Sequence, residues 1–435
     1  MYKKIILSLF FLCAMSSFSV MAQEEANPWS LDSCISYARQ HNNSILQAYL
    51  KTEEAKTNLR EAKSALFPSL SLSSSQRVSF EKNAEKTAIY TGSYDLSSKL
   101  TLFEGGKNLN NIKQKKLDIQ STEFNSQYVA NNIEIEIIKA YYQILYAHES
   151  VLTNTATVAT SEQQLARSRE LYASGKISKV DFAQVESQYQ DDKYQLVVAQ
   201  NEESKAKLSL KQILQFESDR PFEVLIPSSE VEPEFKLLPS LEDIKQAAYT
   251  SLPEIKQADT EIEISKLNEK IASGERMPTI SLNAGIGTGH NNLAKTNIGT
   301  QFKNGLNEYV GISFNLPIFN NRQTKSKIER ARIATKSAEL SSDEIRLDIS
   351  NHLAELHLEA ESAQSRYAAA TAKLQAAESS YELINQKYEM GMQNLVDLLV
   401  EKNNYLNAIQ EKLQSKYTAL LNIRLLEFYL NQASL

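Results

Sequence analysis

Two stretches of 68 residues, Lys107–Ser174 and Gln323–Met390, contain neither glycine nor proline. Those two residues cost about 1 and about 3 kcal/mol in a helix interior, so nothing in either stretch forces the backbone out of an α-helix. Two further breaker-free runs follow at once, Lys179–Phe216 and Leu395–Asn431, each reached through a turn holding one glycine, Gly175 or Gly391. A 68-residue helix is about 100 Å long at roughly 1.5 Å per residue, which exceeds a compact domain. The sequence therefore predicts long paired rods.

Apolar spacing says how the rods pack. Ile345, Ile349, Leu353, Leu356, Ala360, Ala363, Tyr367, Ala370, Leu374, Ala377, Tyr381, Ile384 and Tyr388 follow one another at steps of three or four. This is a coiled-coil seam with many small residues, which lets neighbouring helices come close. A patchier seam runs through Phe124, Tyr128, Ile135, Ile138, Tyr142 and Leu145. Shorter helices are expected over Leu31–Leu66 and its counterpart beyond Leu241, broken at Asn42-Asn43 in one and at Pro253 in the other.

The whole arrangement occurs twice. Leu31–Leu72 aligns without a gap on Leu241–Leu282, and Phe103–Tyr189 on Phe319–Tyr405; Tyr172-x-x-Gly175-x-x-Ser178-x-Val180-Asp181 meets Tyr388-x-x-Gly391-x-x-Asn394-x-Val396-Asp397. A duplicated element suits a pseudo-symmetric wall around an axis. The expected organisation is a signal peptide at 1–22, a first repeat at 23–220, a linker at 221–240 and a second repeat at 241–435. Lys3-Lys4, the apolar Ile5–Cys13 run and Val20-Met21-Ala22 read as an export signal. Its removal takes the formal charge from -6 to -8 and leaves Cys34 as the one cysteine, excluding an intramolecular disulfide and arguing against a nucleic-acid partner.

Four segments switch to a period of two, the mark of strands. Leu70, Leu72 and Val78 alternate with serines and Arg77; Tyr94, Leu96, Leu100 and Leu102 with Asp95, Ser97, Lys99 and Thr101; Ile280, Leu282, Ala284 and Ile286 with Ser281, Asn283, Gly285 and Gly287; Val310, Ile312, Phe314 and Leu316 with Gly311, Ser313 and Asn315. Polar loops around Lys82–Thr87 and Gly289–Asn304 are expected to join them as hairpins. Arg77, Asp95 and Lys99 keep to the polar parity, as lipid-facing strands require, since a basic residue facing lipid at mid-bilayer costs about 2–4 kcal/mol. Glu308 breaks the pattern and is expected at the outer rim. Four strands cannot close a barrel, so several chains must contribute.

These features together resemble the TolC-type outer-membrane efflux proteins. The resemblance runs through the helix-Pro-strand junctions Phe67-Pro68 and Met277-Pro278, the strand-to-helix turns Leu102–Lys107 and Pro317–Arg322, and the two Tyr-x-x-Gly…Val-Asp turns. It implies a mainly α fold with β: long coiled-coil hairpins and two β-hairpins per protomer, a homotrimer with a barrel of twelve strands in outer-membrane lipid, and a periplasmic helical tube. Glu217–Ser240 and the tail after Leu430 would form a mixed equatorial belt. The implied function is a passive outer-membrane channel for efflux or type I secretion, working with a periplasmic adaptor (membrane fusion) protein and an inner-membrane transporter. A periplasmic coiled-coil adaptor is the alternative.

Carried over residue by residue, the resemblance puts Asp181, Asp397 and Tyr388 at a periplasmic gate. Gln393 stands where an arginine latch is expected, and Val400 where a second aspartate is. Ser174, Gly175, Lys176 and Ser178, with Met390, Gly391, Met392 and Asn394, would form adaptor-contacting tips. On the residues alone, Asp181 and Asp397 also fit as caps of the returning helices. No catalytic set, cofactor site or metal site is read: His41, His148, His290, His352 and His357 show no ligand spacing, and Gly285-x-Gly287-x-Gly289 reads as strand-end flexibility rather than a phosphate loop.

Overall fold

The computed structural model describes residues 28–80, 88–217, 221–227 and 237–431. The expected signal peptide, the Lys82–Thr87 loop, Pro233 and residues 432–435 of the tail lie outside the described residues. The elements are α1 (Leu31–His41), α2 (Asn43–Ser64), β1 (Ser69–Ser79), β2 (Ile89–Glu104), α3 (Lys107–Ala173), α4 (Lys179–Leu214), α5 (Leu241–Ser251), α6 (Pro253–Gly274), β3 (Thr279–Asn291), α7 (Ile298–Asn304), β4 (Asn307–Asn315), α8 (Gln323–Glu389) and α9 (Leu395–Asn431). The four long helices end within two residues of where glycine and proline placement puts them. Asn42 and Leu252 interrupt the shorter pairs in extended conformation, and Pro253 opens α6 at a position where a missing N–H costs nothing.

Two compact units share these elements, and each draws on both halves of the sequence. The first holds α1, α3 from Ile133, α4, the 221–227 segment, α8 from Ala360 and α9 to Leu425. Its core packs Cys34 and Ala38 against Ile137, Tyr141, Ile144 and Leu145 of α3, Ala206, Leu210 and Leu214 of α4, and Phe222 and Val224. The buried stripe of α3 thus runs through Ile137, Tyr141 and Ile144 as well as Ile138 and Leu145, while Tyr128 of the predicted seam stays exposed. Residues 221–227 are not helical. Trp29 accepts from Leu225 N at 2.9 Å and donates to Glu223 O at 2.8 Å, a short parallel bridge that anchors this piece of linker.

The second unit carries the sheet. Its strands are antiparallel in the order β1-β2-β3-β4, so the two predicted hairpins are joined by a β2–β3 ladder. Register aligns the apolar parity of all four strands: Leu72 opposes Leu96 and Leu96 opposes Ile286, while Leu100 opposes Leu282 and Leu282 opposes Ile312. This face is open, with Leu72 at 78%, Val310 at 78% and Ile312 at 71% exposure. β1 and β4 are edges, and almost every residue of each is exposed.

Three expectations for the sheet need correction. β3 continues to Asn291 and α7 follows, so the predicted polar loop at 289–304 holds the end of a strand and a helix; Asn297 caps α7 by accepting from Thr300 N. Gly285 and Gly287 lie inside β3, where a Cβ would fall 2.7 Å from the Tyr309 ring and 2.4 Å from Asp95 Oδ1, so they make room for neighbours and are not flexible strand ends. Glu308 is the second residue of β4, opposite Ile286, and although it lies at the rim of that short strand, β2 and β3 run on past it.

Below the sheet, the turns into α3 and α8 share one backbone shape with different residues. Gly105 and Gly106 have φ of 57° and 75°; Asn321 and Arg322, their aligned partners, have 53° and 65°. Gly105 is irreplaceable on space alone, because a Cβ there would sit 2.3 Å from Gly274 O at the end of α6. Ion pairs between helices complete this unit, including Arg346 with Asp259 at 2.8 Å and Lys327 with Glu275 at 2.8 Å.

Candidate functional site

Each long hairpin reverses through the same six-residue device. Lys176 N donates to Leu171 O at 2.8 Å and Gly175 N to Tyr172 O at 2.9 Å; Met392 N donates to Lys387 O at 2.8 Å and Gly391 N to Tyr388 O at 3.0 Å. This pairing closes a helix with a left-handed residue after it, and Gly175 and Gly391 supply φ of 72° and 74°. Nothing lies within 4 Å of where a Cβ would stand on either glycine, so conformation alone requires them. Met390 and Met392 project with 65% and 64% of their surface exposed.

The returning helices start with reciprocal caps. Asp181 N donates to Ser178 Oγ at 3.1 Å, and Ser178 N donates back to Asp181 Oδ2 at 3.2 Å. At the second tip Asp397 N donates to Asn394 Oδ1 at 2.8 Å, Asn394 Nδ2 returns a bond to Asp397 Oδ2 at 2.7 Å, and Gln393 Nε2 donates to the same oxygen. Asp181 and Asp397 are therefore held within their own turns as capping residues, half-exposed. Gln393, in the place of an expected cation, orients Asp397.

Tyr388 joins the tip core. It packs with Phe182, Tyr189, Tyr381 and Ile384 against Leu165, Val185, Leu395 and Leu398. Burial raises its phenol pKa above the ordinary value, the Asp181 carboxylate adds to the rise, and Arg167 opposes it. Arg167, not singled out from sequence, is a cation here along with Lys176: its Nη1 lies 2.9 Å from Glu389 Oε1 and links α3 to α8. Both groups are well exposed, so the pair is weak as a stabiliser. A cleft of about 890 Å³ opens beside it, lined by Gln164, Arg167, Ser168, Tyr381, Asn385 and Gln393 among others.

Behind the tips lies a polar node that sequence reading missed. Lys402 Nζ sits 2.8 Å from Asp192 Oδ2 and 3.0 Å from Ser161 Oγ; Ser161 also bonds Asp192, and Gln188 Nε2 reaches Asp192 Oδ1 at 2.9 Å. Ser161, Asp192 and Lys402 are 2–3% exposed, so α3, α4 and α9 meet around one buried charge pair. The signal was present in α4: Val185, Asp192, Ala199 and Ala206 are buried at intervals of seven, and Asp192 is the one charge in that seam. Further along α9, Lys416 reaches both oxygens of Glu149 at 3.1 Å, and Tyr417 donates to Glu149 at 2.6 Å. No group of His, Cys, Asp and Glu suited to a metal occurs among the described residues.

The sequence profile of the outer membrane efflux proteins matches residues 34–214 and 245–432, most of the chain and both of its halves. The chain belongs to the outer membrane efflux protein family. It is similar to the outer membrane efflux protein BepC of Brucella suis biovar 1 (strain 1330), at 21% identity over 80% of this chain and 73% of that protein. It is likewise similar to the outer membrane protein TolC of Escherichia coli (strain K12), at 22% identity over 94% of this chain and 83% of that protein. It shares the fold of VceC from Vibrio cholerae, with a TM-score of 0.75 and 18% identity over 93% and 95% of the two chains.

Membership accounts for what the geometry lacks. An outer membrane efflux protein is a conduit and not an enzyme. It acts in the outer membrane, and among the described residues no helix is long and apolar enough to cross a bilayer. The membrane-facing candidate in this family member is the sheet. Nothing favours the periplasmic adaptor reading.

Proposed function

We propose that three copies of this chain close into an outer-membrane exit duct, twelve strands in lipid and a helical tube in the periplasm, serving a tripartite efflux or type I secretion system. The observation that carries this reading is the sheet: four strands with an open apolar face and two edges, β1 and β4, whose outward backbone groups have no partner strand among the described residues. Unpaired backbone groups in hydrocarbon cost several kcal/mol each, so edges must meet edges. Three four-stranded sheets give a closed ring of the size that membrane barrels adopt. The two repeats, 23–220 and 241–435 with linker 221–240, are the staves; the repeated element order supports that division.

The tips serve the entrance. Asp181 and Asp397, repeated around a threefold axis, form carboxylate rings that favour cations, and Tyr388 and Gln393 hold their surroundings. Ser174, Gly175, Lys176 and Ser178, with Met390, Gly391, Met392 and Asn394, meet the helical hairpins of a periplasmic adaptor, and an inner-membrane transporter supplies the energy. The exposed methionines and the unobstructed glycines favour this contact, since flexible thioethers adapt to a partner surface. Detergent extraction from purified outer membranes followed by light-scattering mass tests the reading. A mass of three chains is expected, and a monomer would overturn it.

A further inference from the structure

The loop between β3 and β4 carries charge of one sign beside apolar side chains that no described residue covers. Between Asn291 and Asn307 the only charged residues are Lys295 and Lys303, both exposed. Leu293, Ile298 and Leu306 are 50%, 54% and 53% exposed. Three half-exposed apolar side chains grouped in one short loop form the kind of patch that marks an interaction surface.

The loop is also docked on the sheet, at its start through Asn292, which donates to Tyr90 O at 3.0 Å and accepts from Tyr90 N at 2.9 Å, and again at α7. Thr288 Oγ1 donates to Phe302 O at 2.8 Å, and the Phe302 ring lies 5.3 Å from Tyr94 and 5.6 Å from His290 between centroids. Tyr94 opposes Thr288 two residues from the Leu96–Ile286 pair, with no bulge between, so Tyr94, Thr288 and His290 share the parity of the open apolar band. α7 therefore lies over the apolar face of the sheet, at the hairpin end remote from the helices. Gln76 accepts from Tyr90 at 2.6 Å and donates to Tyr94 at 2.9 Å on the same face. Tyrosines with satisfied hydroxyls at the end of an apolar band mark where acyl chains give way to headgroups.

We infer that the β3–β4 loop is an interfacial collar on the outside of the sheet, in which Leu293, Ile298 and Leu306 enter the upper acyl region and Lys295 and Lys303 meet the phosphates of outer-leaflet lipid. The inference rests on the proposed lipid-facing role of the apolar band. Two observations select lipid as the occupant: the collar is continuous with that band, and its charge is wholly positive, opposite to a phosphate surface. A short helix with an apolar side and flanking lysines lies in an interface plane on these terms.

The test uses Ile298→Trp and, separately, Ile312→Trp at mid-band, with native Trp29 packed among Tyr37, Phe216 and Phe222 as common background. The full-length assembly is placed in vesicles whose lipids carry bromine near the headgroup or deep in the chain. Shallow bromines should quench Ile298→Trp and deep bromines Ile312→Trp. Quenching of Ile312→Trp without quenching of Ile298→Trp overturns the collar and leaves the channel reading standing; absence of both overturns the lipid-facing reading and the collar with it. In vesicles containing phosphatidylglycerol, adding Lys295→Gln and Lys303→Gln should lower the shallow quenching to its value in phosphatidylcholine alone. An unchanged value overturns the lysine contact.

Discussion

Lys402 and Asp192 form a charge pair 2.8 Å apart, with both side chains 4% exposed, 210 positions away from each other in sequence. The pair joins α4 of the first half to α9 of the second, and Ser161 of α3 completes it. A buried pair of this kind is poor evidence of net stability but a strict demand on partnership.

Removing one partner should therefore cost much more than removing both. Lys402→Met leaves an uncompensated buried carboxylate and is expected to destabilise by about 3–5 kcal/mol, while Asp192→Leu with Lys402→Met recovers most of the loss. Thermal unfolding of the detergent-extracted protein measures this. Equal losses in the single and double variants would show that the contact has no such role.

Glycine positions with similar dihedrals should respond differently to alanine. At Gly391 only the left-handed backbone is penalised, about 1–2 kcal/mol, since no neighbour blocks a Cβ. Gly105→Ala adds a collision with Gly274 O and should reduce assembled protein far more. Yields from outer membranes compare the two directly.

Cys34 sets an alkaline limit. Burial pushes its thiol from 9.0 up to about 12, so the folded state binds the proton more tightly than the unfolded chain. Its contribution to stability is whole below pH 9 and disappears as pH rises towards 12. Denaturation midpoints should fall across that window by a larger step in the wild type than in Cys34→Ala. Maleimide should label Cys34 at neutral pH only after unfolding, because the side chain is fully buried.

Neutralising the capping carboxylates separates their two roles. Asp181→Asn with Asp397→Asn should cost only about 0.3–1 kcal/mol per helix terminus. If three copies of each acid ring an entrance, the same change lowers cation over anion selectivity in planar bilayers. Unaltered selectivity would confine both residues to capping.

Charge at the projecting methionines tests the tip. Met390→Glu with Met392→Glu is expected to abolish export while leaving trimers and single-channel conductance intact, because both side chains are mostly solvent-exposed. Loss of trimers would assign them a structural part instead.

The fold was largely legible because its determinants are local. Breaker-free runs bounded α3, α4, α8 and α9, Asn42 and Pro253 marked the short-helix breaks, and alternation, broken at Glu308, gave the sheet its face. Partnership across the fold was not legible. Asp192 and Lys402 read as ordinary helix charges until packing places them together, and the seven-residue spacing from Val185 to Ala206 marks Asp192 only once burial is known. Arg167 does not stand out in the turn sequences because it lies on α3, while its partner Glu389 ends α8. α7 was hidden inside a polar loop, since seven residues carry too little periodicity to announce a helix.

The β2–β3 ladder divides the pairing work between one chain and its neighbours. Because the seam between the two halves is sealed within one polypeptide, two of every three strand junctions in each sheet need only local hairpin closure and the remaining one a cyclising encounter inside the same molecule. Among the described strands, β1 and β4 alone keep an unpaired edge. In the proposed ring, closure between copies is therefore the strand pairing whose rate scales with the number of molecules in the bilayer.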